Sequence, residues 1–458
     1  MSAAEGSGVE SNARPLTDEL VEEVQSAIAA GDWPRAAELV AGLHAADLAD
    51  LLQLLEPEQR LALTRALGER LDPETFSYLE EEVREELVEA LGVERVAEIV
   101  SGLETDDVVD LLSELEAEEQ AEILARLPPP ERIAVEQQLA YPEDSAGRLM
   151  QREFVAVPEY WLVGQTIDYL RATPELPDEF YDIFIVDPRM RPVGGVPVSR
   201  VLRSNRSVPL RELRLKEIRP IPATMDQEEV AFLFRQYGLV SAPVVDEDGR
   251  LVGVITIDDV VDVMEEEAEE DLLSLGGLHE TDVYAPPLKR AKRRIPWLLV
   301  NMVTAVAAAS VVAMFEDTIA RVTTLAVLMP IVAGMGGNAG TQSLTVTVRA
   351  LATRELGPAN AGRMILRELA TGALNGLVFL LVGFLLAFLW FGDTQLAIVF
   401  GCGMLINLAG AALGGVLVPL VLERLGFDPA VASSIFVTTV TDMLGFFVFL
   451  GLATLVLL

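Results

Sequence analysis

The sequence predicts a multidomain protein: an α-helical, superhelical N-terminal domain, two tandem α/β units and a five-helix transmembrane α domain. Three observations predict it. A leucine-rich helical pattern repeats at an offset of 60 residues, a strand-rich pattern repeats at an offset of 59, and five apolar stretches are long enough to cross a bilayer. Charge divides the 458-residue chain in the same way. Residues 286–458 hold 8 acidic and 11 basic residues, net +3, which leaves 63 acidic and 23 basic, net −40, in residues 1–285. An acidic portion joined to a nearly neutral apolar one excludes a simple globular enzyme, and the acidic excess argues against a nucleic-acid partner. The single cysteine, Cys402, excludes an internal disulfide framework, and two histidines, His44 and His279, leave little for zinc, copper or iron. A bound metal is therefore expected to be a hard cation with oxygen ligands.

The opening segment MSAAEGSGVE has neither a basic stretch nor an apolar core. Residues 1–15 read as a disordered lead-in without a signal peptide, and the acidic part is expected in the cytoplasm. Residues 16–147 form the acidic helical-repeat domain. DLADLLQLLEPEQRLALTRAL from Asp47 aligns on DVVDLLSELEAEEQAEILARL from Asp107. Helical hairpins that each bury one face must stack on their neighbours, which predicts a short α-solenoid. Its carboxylates read as a solvated outer face, or alternatively as groups that converge with others on a divalent cation.

The period then shortens and β-branched runs appear, with a first α/β unit over 148–216 and a second over 217–264. FIVDPRMRPVGGVPVSRVL from Phe184 aligns without gaps on PVVDEDGRLVGVITIDDVV from Pro243. The pair resembles tandem CBS domains, a module that senses adenine nucleotides or metal ions. The second copy carries Gly253, Thr256 and Asp259 at a strand-to-helix junction, where a hydroxyl can meet phosphate and a carboxylate can accept from ribose hydroxyls. The plainer alternative is that Thr256 and Asp259 cap the helix. The first copy has Pro197 and Arg200 at the matching positions, so at most one nucleotide site is expected.

Residues 265–290 read as an acidic connecting helix that enters a glycine break and linker. Glu265, Glu266, Glu267, Glu269, Glu270 and Asp271 would repel one another along a helix. Together with Asp259 and Asp262, the set Glu265, Glu266, Glu269, Glu270 and Asp271 is the candidate regulatory site for a divalent cation.

Residues 291–458 contain apolar stretches over Ile295–Phe315, Val322–Val348, Thr371–Phe391, Ala397–Leu422 and Val431–Leu458. Basic residues cluster before the first stretch and between the second and third, so the positive-inside rule places the N-terminal portion in the cytoplasm and Leu458 outside. The second stretch holds PIVAGMGGNAGTQS, with Gly337, Asn338, Thr341 and Gln342. Its small residues permit close helix approach, and its amides and hydroxyls can replace or hold the hydration water of an ion. The fifth holds FVTTVTDMLGFF, with Thr438, Thr441 and Asp442. Asp442 reads as the one carboxylate deep in a span, at a cost of at least about 2.5 kcal/mol, which marks it as a functional-site candidate.

With the helical domain, the paired α/β units, the acidic helix, the five spans, the segment YPEDSAGRLM from Tyr141, the glycine-asparagine run and Asp442, the chain resembles the MgtE family of magnesium transporters. The resemblance covers nearly the whole chain. It implies a non-enzymatic, homodimeric Mg²⁺ channel in the cell membrane, with a pore on the two-fold axis that closes when cytoplasmic Mg²⁺ is high; the acidic segment falls in the family's plug-like helix. It also makes ATP a candidate modulator. The nearest alternative is an ion-coupled Mg²⁺ exchanger. An intramembrane aspartyl protease needs a second carboxylate, and a membrane-tethered nucleotide sensor leaves Asp442 unexplained.

Overall fold

The structure is a computed structural model that describes residues 15–174, 176–177, 180–215, 218–278 and 286–458, except for the side chains of residues 431–433. Apart from Pro15, the proposed disordered lead-in therefore lies outside the described residues, as do the boundary between residues 216 and 217 and part of the 265–290 linker. The chain divides into two compact units, Met1–Glu265 and Glu266–Leu458.

Among the described residues the first unit opens with nine helices: α1 (Asp18–Ala29), α2 (Trp33–Val40), α3 (Ala45–Gln53), α4 (Pro57–Leu67), α5 (Glu81–Leu91), α6 (Val93–Val100), α7 (Thr105–Ser113), α8 (Ala117–Leu124) and α9 (Pro129–Leu139). Leucines spaced by three and four place Leu51, Leu52, Leu63, Leu87, Leu111, Leu112 and Ile123 in one core, at most 1% exposed. The 60-residue repeat is physical. In α3–α4 the Arg60 Nε donates to the Leu52 carbonyl at 2.8 Å, and in α7–α8 the Gln120 Nε2 donates to the Leu112 carbonyl at 3.1 Å. Different side chains thus satisfy the same orphan carbonyl at a helix C-terminus.

A short helix, α10 (Ala146–Leu149), leads into two three-stranded sheets with β1 (Ala156–Pro158), β2 (Asp182–Val186), β3 (Pro192–Pro197), β4 (Ile221–Pro222), β5 (Ser241–Val245) and β6 (Leu251–Thr256). Their orders are β1-β2-β3 and β4-β5-β6, each with a parallel and an antiparallel pair. The turns match as well: the Asp187 Oδ1 accepts from the amides of Arg189 and Arg191, and the Asp246 Oδ1 from those of Asp248 and Arg250. Helices α11 (Val163–Ala172), α12 (Val198–Leu202) and α13 (Leu210–Leu213) serve the first sheet, and α14 (Gln227–Tyr237) the second. Chain order misleads at one place. Ala146 and Met150 precede the first sheet but are buried in the core of the second, because Ala146 and Gly147 donate to the carbonyls of Met225 and Ala223 and Gln151 bridges to Val254.

After β6, α15 (Ile257–Leu275) runs 19 residues without a break, so the end of the second α/β unit and the acidic run share one helix. It stops at Gly277, whose φ of 74° suits only glycine comfortably.

The second unit holds α16 (Pro287–Ala313), a short α17 (Glu316–Arg321), α18 (Thr324–Ala352), α19 (Ala361–Phe391), α20 (Thr394–Arg424) and α21 (Pro429–Leu457). Among the described residues, α16, α18, α19, α20 and α21 are long and apolar enough to span a membrane. α19 begins ten residues before the expected start at Thr371, because Arg363, Arg367 and Glu368 continue its helical pattern beyond the apolar stretch. α20 is the hub. Backbones close on it at glycines: Gly372 and Gly376 of α19 meet Leu408 and Leu405, Gly415 meets Ser343 of α18, and Gly403 meets Phe449 of α21.

Candidate functional site

Three regions hold the chemistry. The first is the contact between α18 and α21. A Cβ on Gly340 would lie 2.8 Å from Val437 Cγ1 and 3.0 Å from Thr441 Cγ2, while Gly336 and Gly445 both face Asn407 of α20. Rising residue numbers on α18 therefore meet falling numbers on α21, so the helices run antiparallel. With a rise of about 1.5 Å per residue, Asp442 stands level with Asn338 and Ala339 to within about a turn.

The glycines of α18 divide into two sets. Gly336 and Gly340 are packed, whereas a Cβ on Gly334 or Gly337 would meet nothing within 4 Å. Close helix approach explains the first pair but not the second. Asn338, Thr341, Gln342 and Thr345 are exposed, at spacings that put them on one face of α18. On α21 Thr438 is exposed and Asp442 is half-buried. The hydroxyls of Thr341, Thr345 and Thr438 donate to the carbonyls of Gly337, Thr341 and Ser434 one turn back. Their hydrogens are used, so the oxygens present lone pairs, which suits them to accept hydrogens from the water around a cation.

Thr441 is fully buried, donates to the Thr438 carbonyl at 2.9 Å and packs against Gly340. The hydroxyls of Thr438 and Thr441 thus both go to backbone carbonyls. Asp442 is also not the only carboxylate in the spanning helices: Glu368 of α19 accepts from the Ser343 hydroxyl of α18 at 2.8 Å. The earlier start of α19 was the signal that would have found it.

The second region is an acidic seam where the N-termini of α7 and α15 approach. Glu104, Asp106 and Asp107 stand on one side, and Asp258, Asp259 and Asp262 on the other. Asp106 is 9% exposed, and its carboxyl is held well above the usual range by burial and then by Asp259, Asp107 and Glu104. Burial is also the largest cause for Asp259, pushed up to about 7 with help from Asp258 and Asp107. Glu104 reaches about 7 through burial, Glu153 and Asp107, and Asp107 about 6 chiefly through burial. Asp262 is raised by burial, Glu265 and Asp258. Two helix N-termini soften this repulsion, but the seam remains a place where added positive charge is favoured. Among the described residues no three such groups converge closely enough to ligate one ion. Sequence reading selected Asp259 and Asp262 but missed Glu104, Asp106 and Asp107, which lie some 150 residues earlier in the chain. Further along α15, Glu265, Glu266, Glu269 and Glu270 are exposed and Asp271 is half-buried.

The third region is the β6–α15 junction. The Thr256 hydroxyl donates to the Asp259 Oδ2 at 2.8 Å, and the same oxygen accepts from the Thr256 backbone amide at 3.4 Å, which caps the start of α15. Gly253 is packed against the segment after α10: a Cβ there would lie 2.7 Å from Met150 Cγ and 2.8 Å from the Gln151 carbonyl oxygen.

Comparison with known proteins follows the same division. The divalent cation transporter model MgtE matches residues 329–452, the MgtE intracellular N domain matches 43–144, and a CBS domain matches 210–266. The magnesium transporter MgtE of Thermus thermophilus is 38% identical over 322 residues, covering 69% of this chain and 71% of that one. Its namesake in Enterococcus faecalis is 32% identical over 320 residues, covering 70% and 71%. The crystal structure of the cytosolic domain of the Mg²⁺ channel MgtE in complex with ATP is similar at 32% identity and a TM-score of 0.50, covering 53% of this chain and 99% of that one.

Proposed function

The chain belongs to the MgtE family of magnesium transporters, and from that premise we propose that it is a homodimeric Mg²⁺ channel, opened and closed by cytoplasmic Mg²⁺. The observation that carries the proposal is the pair of polar faces at one level of the membrane: Asn338, Thr341 and Gln342 on α18, and Thr438 and Asp442 on α21. Polar groups exposed on a spanning helix face lipid at a high cost unless they line water or another chain. A second copy about a two-fold axis encloses these faces and brings two Asp442 carboxylates to one height.

Mg²⁺ gives up its water reluctantly. A path for it therefore needs a strong negative field with few direct ligands, and acceptors for the hydrogens of the retained water. The Asp442 pair supplies the field, and the threonine and amide oxygens supply the acceptors. The passing ion offsets the repulsion between the carboxylates in turn. Regulation falls to the acidic seam, where hydrated Mg²⁺ drawn into the field of Asp106, Asp107 and Asp259, without direct ligation by all three, offsets their repulsion and stabilises the closed form, with the acids of α15 from Glu265 to Asp271 adding further ion sites. ATP at the second CBS unit, through Thr256 and Asp259, modulates the same closure; the ATP complex of the similar cytosolic domain supports this. Five spans and a cytoplasmic N-terminal unit leave the C-terminus outside.

Mg²⁺ uptake by proteoliposomes containing Asp442→Asn tests the proposal. The variant keeps shape but removes charge, so a folded dimer with uptake reduced at least about tenfold is expected. Wild-type uptake would refute the site. Uptake that depends steeply on an imposed sodium or proton gradient would instead establish the ion-coupled exchanger.

A further inference from the structure

Asn407 sits in the middle of α20 and is fully buried. Its Nδ2 donates to the Val332 carbonyl of α18 at 2.7 Å, while its Oδ1 has no partner among the described residues. The amide lies between two glycines. A Cβ on Gly445 of α21 would stand 3.0 Å from both Nδ2 and Oδ1, and one on Gly336 of α18 would stand 3.1 Å from Cγ and Oδ1. Any larger residue at either place would displace it.

A leucine would fill the same slot without an unmet acceptor, and an amide so placed within spanning helices is unfavourable on burial alone. Packing therefore does not explain the residue, whereas geometry does. One side chain ties α20 to α18 on one side and sets how closely α21 approaches on the other. Its two neighbours lie next to the polar faces: Gly336 is two residues before Asn338, and Gly445 three residues after Asp442.

We infer that Asn407 is a positioning residue that sets the register between the polar faces of α18 and α21, and through it the preference for Mg²⁺ over larger divalent cations. A site that holds a hydrated ion through few contacts discriminates by the spacing of its acceptors, so a shift of α18 against α21 changes the spacing without removing a ligand. The inference rests on the reading of those faces as the ion path.

The test uses full-length protein in proteoliposomes, with uptake of Mg²⁺ and of Ca²⁺ measured at equal concentration, alongside dimer content and melting temperature. Asn407→Leu fills the slot without the hydrogen bond and is expected to lower the Mg²⁺/Ca²⁺ uptake ratio by about tenfold in a protein that remains dimeric. Gly445→Ala intrudes on the amide from the other side and is expected to lower the ratio likewise. With Asn407→Ala measured alone beside Gly445→Ala, the double variant Gly445→Ala/Asn407→Ala should lose no more than the worse of these two, as two groups sharing one slot require. A lowered melting temperature with an unchanged ratio assigns Asn407 to structure alone and overturns the inference. Should Asn407→Leu fail to fold, Gly445→Ala decides by the same ratio. Asp442→Asn in the same vesicles separates the premise: wild-type Mg²⁺ uptake there removes the ion path and this inference with it. Its loss there, with unchanged ratios in the other variants, overturns the inference alone.

Discussion

Asp106→Asn, in a cytoplasmic fragment ending at Leu275, should raise stability where a mutation at a buried polar residue ordinarily lowers it. The wild-type carboxyl is buried against Asp259, Asp107 and Glu104. Its neighbours Asp107 and Asp259 are pushed up to about 6 and about 7, each mainly by burial. The folded seam thus keeps protons that the unfolded chain releases near pH 4. Stability linked to these groups is complete below about pH 4 and is lost as the pH rises towards 7. Holding Asp259 near 7 instead of near 4 corresponds to at most about 4 kcal/mol above pH 7, an upper bound on the repulsion that the Asp106 charge contributes to. Solvent around the partly exposed members reduces this to about 1–2 kcal/mol. Asparagine still accepts from the Asp107 amide, as the Asp106 Oδ1 does at 3.1 Å, but brings no charge. At pH 8 without divalent ions, the melting temperature should therefore rise by about 2–8 °C. The gain should vanish near pH 5, and added Mg²⁺ should stabilise the variant less than the wild type. Scanning calorimetry at pH 5, 6.5 and 8, at constant ionic strength with and without Mg²⁺, reads all three. Melting curves that shift in parallel with pH and respond equally to Mg²⁺ would refute the seam as a cation sensor.

Gly340→Ala should cost about 1–3 kcal/mol in the membrane unit, because its Cβ meets Val437 and Thr441 at 2.8 and 3.0 Å. Gly337→Ala, whose Cβ meets nothing within 4 Å, should keep the melting temperature and lower Mg²⁺ uptake. Equal thermal shifts for the two would contradict the division of the α18 glycines. Arg60→Ala removes donors from the Leu52 and Leu55 carbonyls and the partner of Glu86, so chemical denaturation should show a loss of about 2–4 kcal/mol. Gln120→Ala breaks a single bond and should cost about 1 kcal/mol, and an equal loss would undo the comparison. Calorimetry of the same fragment with ATP should show binding that Asp259→Ala weakens about tenfold. Absence of heat at saturating ATP would leave Thr256 and Asp259 as a helix cap.

Much of this protein is local, and what is local is legible. Heptad-like leucines, the spacing of turn aspartates such as Asp187 and Asp246, and runs of twenty apolar residues each specify an element through contacts with near neighbours. That is why both repeats and all five spans could be read from the chain. The cost of a charge in hydrocarbon belongs to Asp442 whatever surrounds it, so its candidacy also needed no coordinates. Other facts depend on residues that meet across the fold. Asp106 and Asp259 are ordinary helix-start acids until α7 and α15 converge and burial makes them repel. Met150 follows the N-terminal domain but fills the second sheet's core, because hydrogen bonds to Ala223 and Met225 draw the chain there. Gly336 and Gly337 are adjacent and identical in sequence, yet a 100° turn of the helix points one at Asn407 and the other at open space. Asn407 itself is one amide in an apolar run, and only the glycines of two other helices, closing on it from both sides, turn it into a spacer. Local spacing specifies the elements and the costly charge; which groups face one another follows only from folding, because burial and repulsion are properties of pairs brought together from distant parts of the chain.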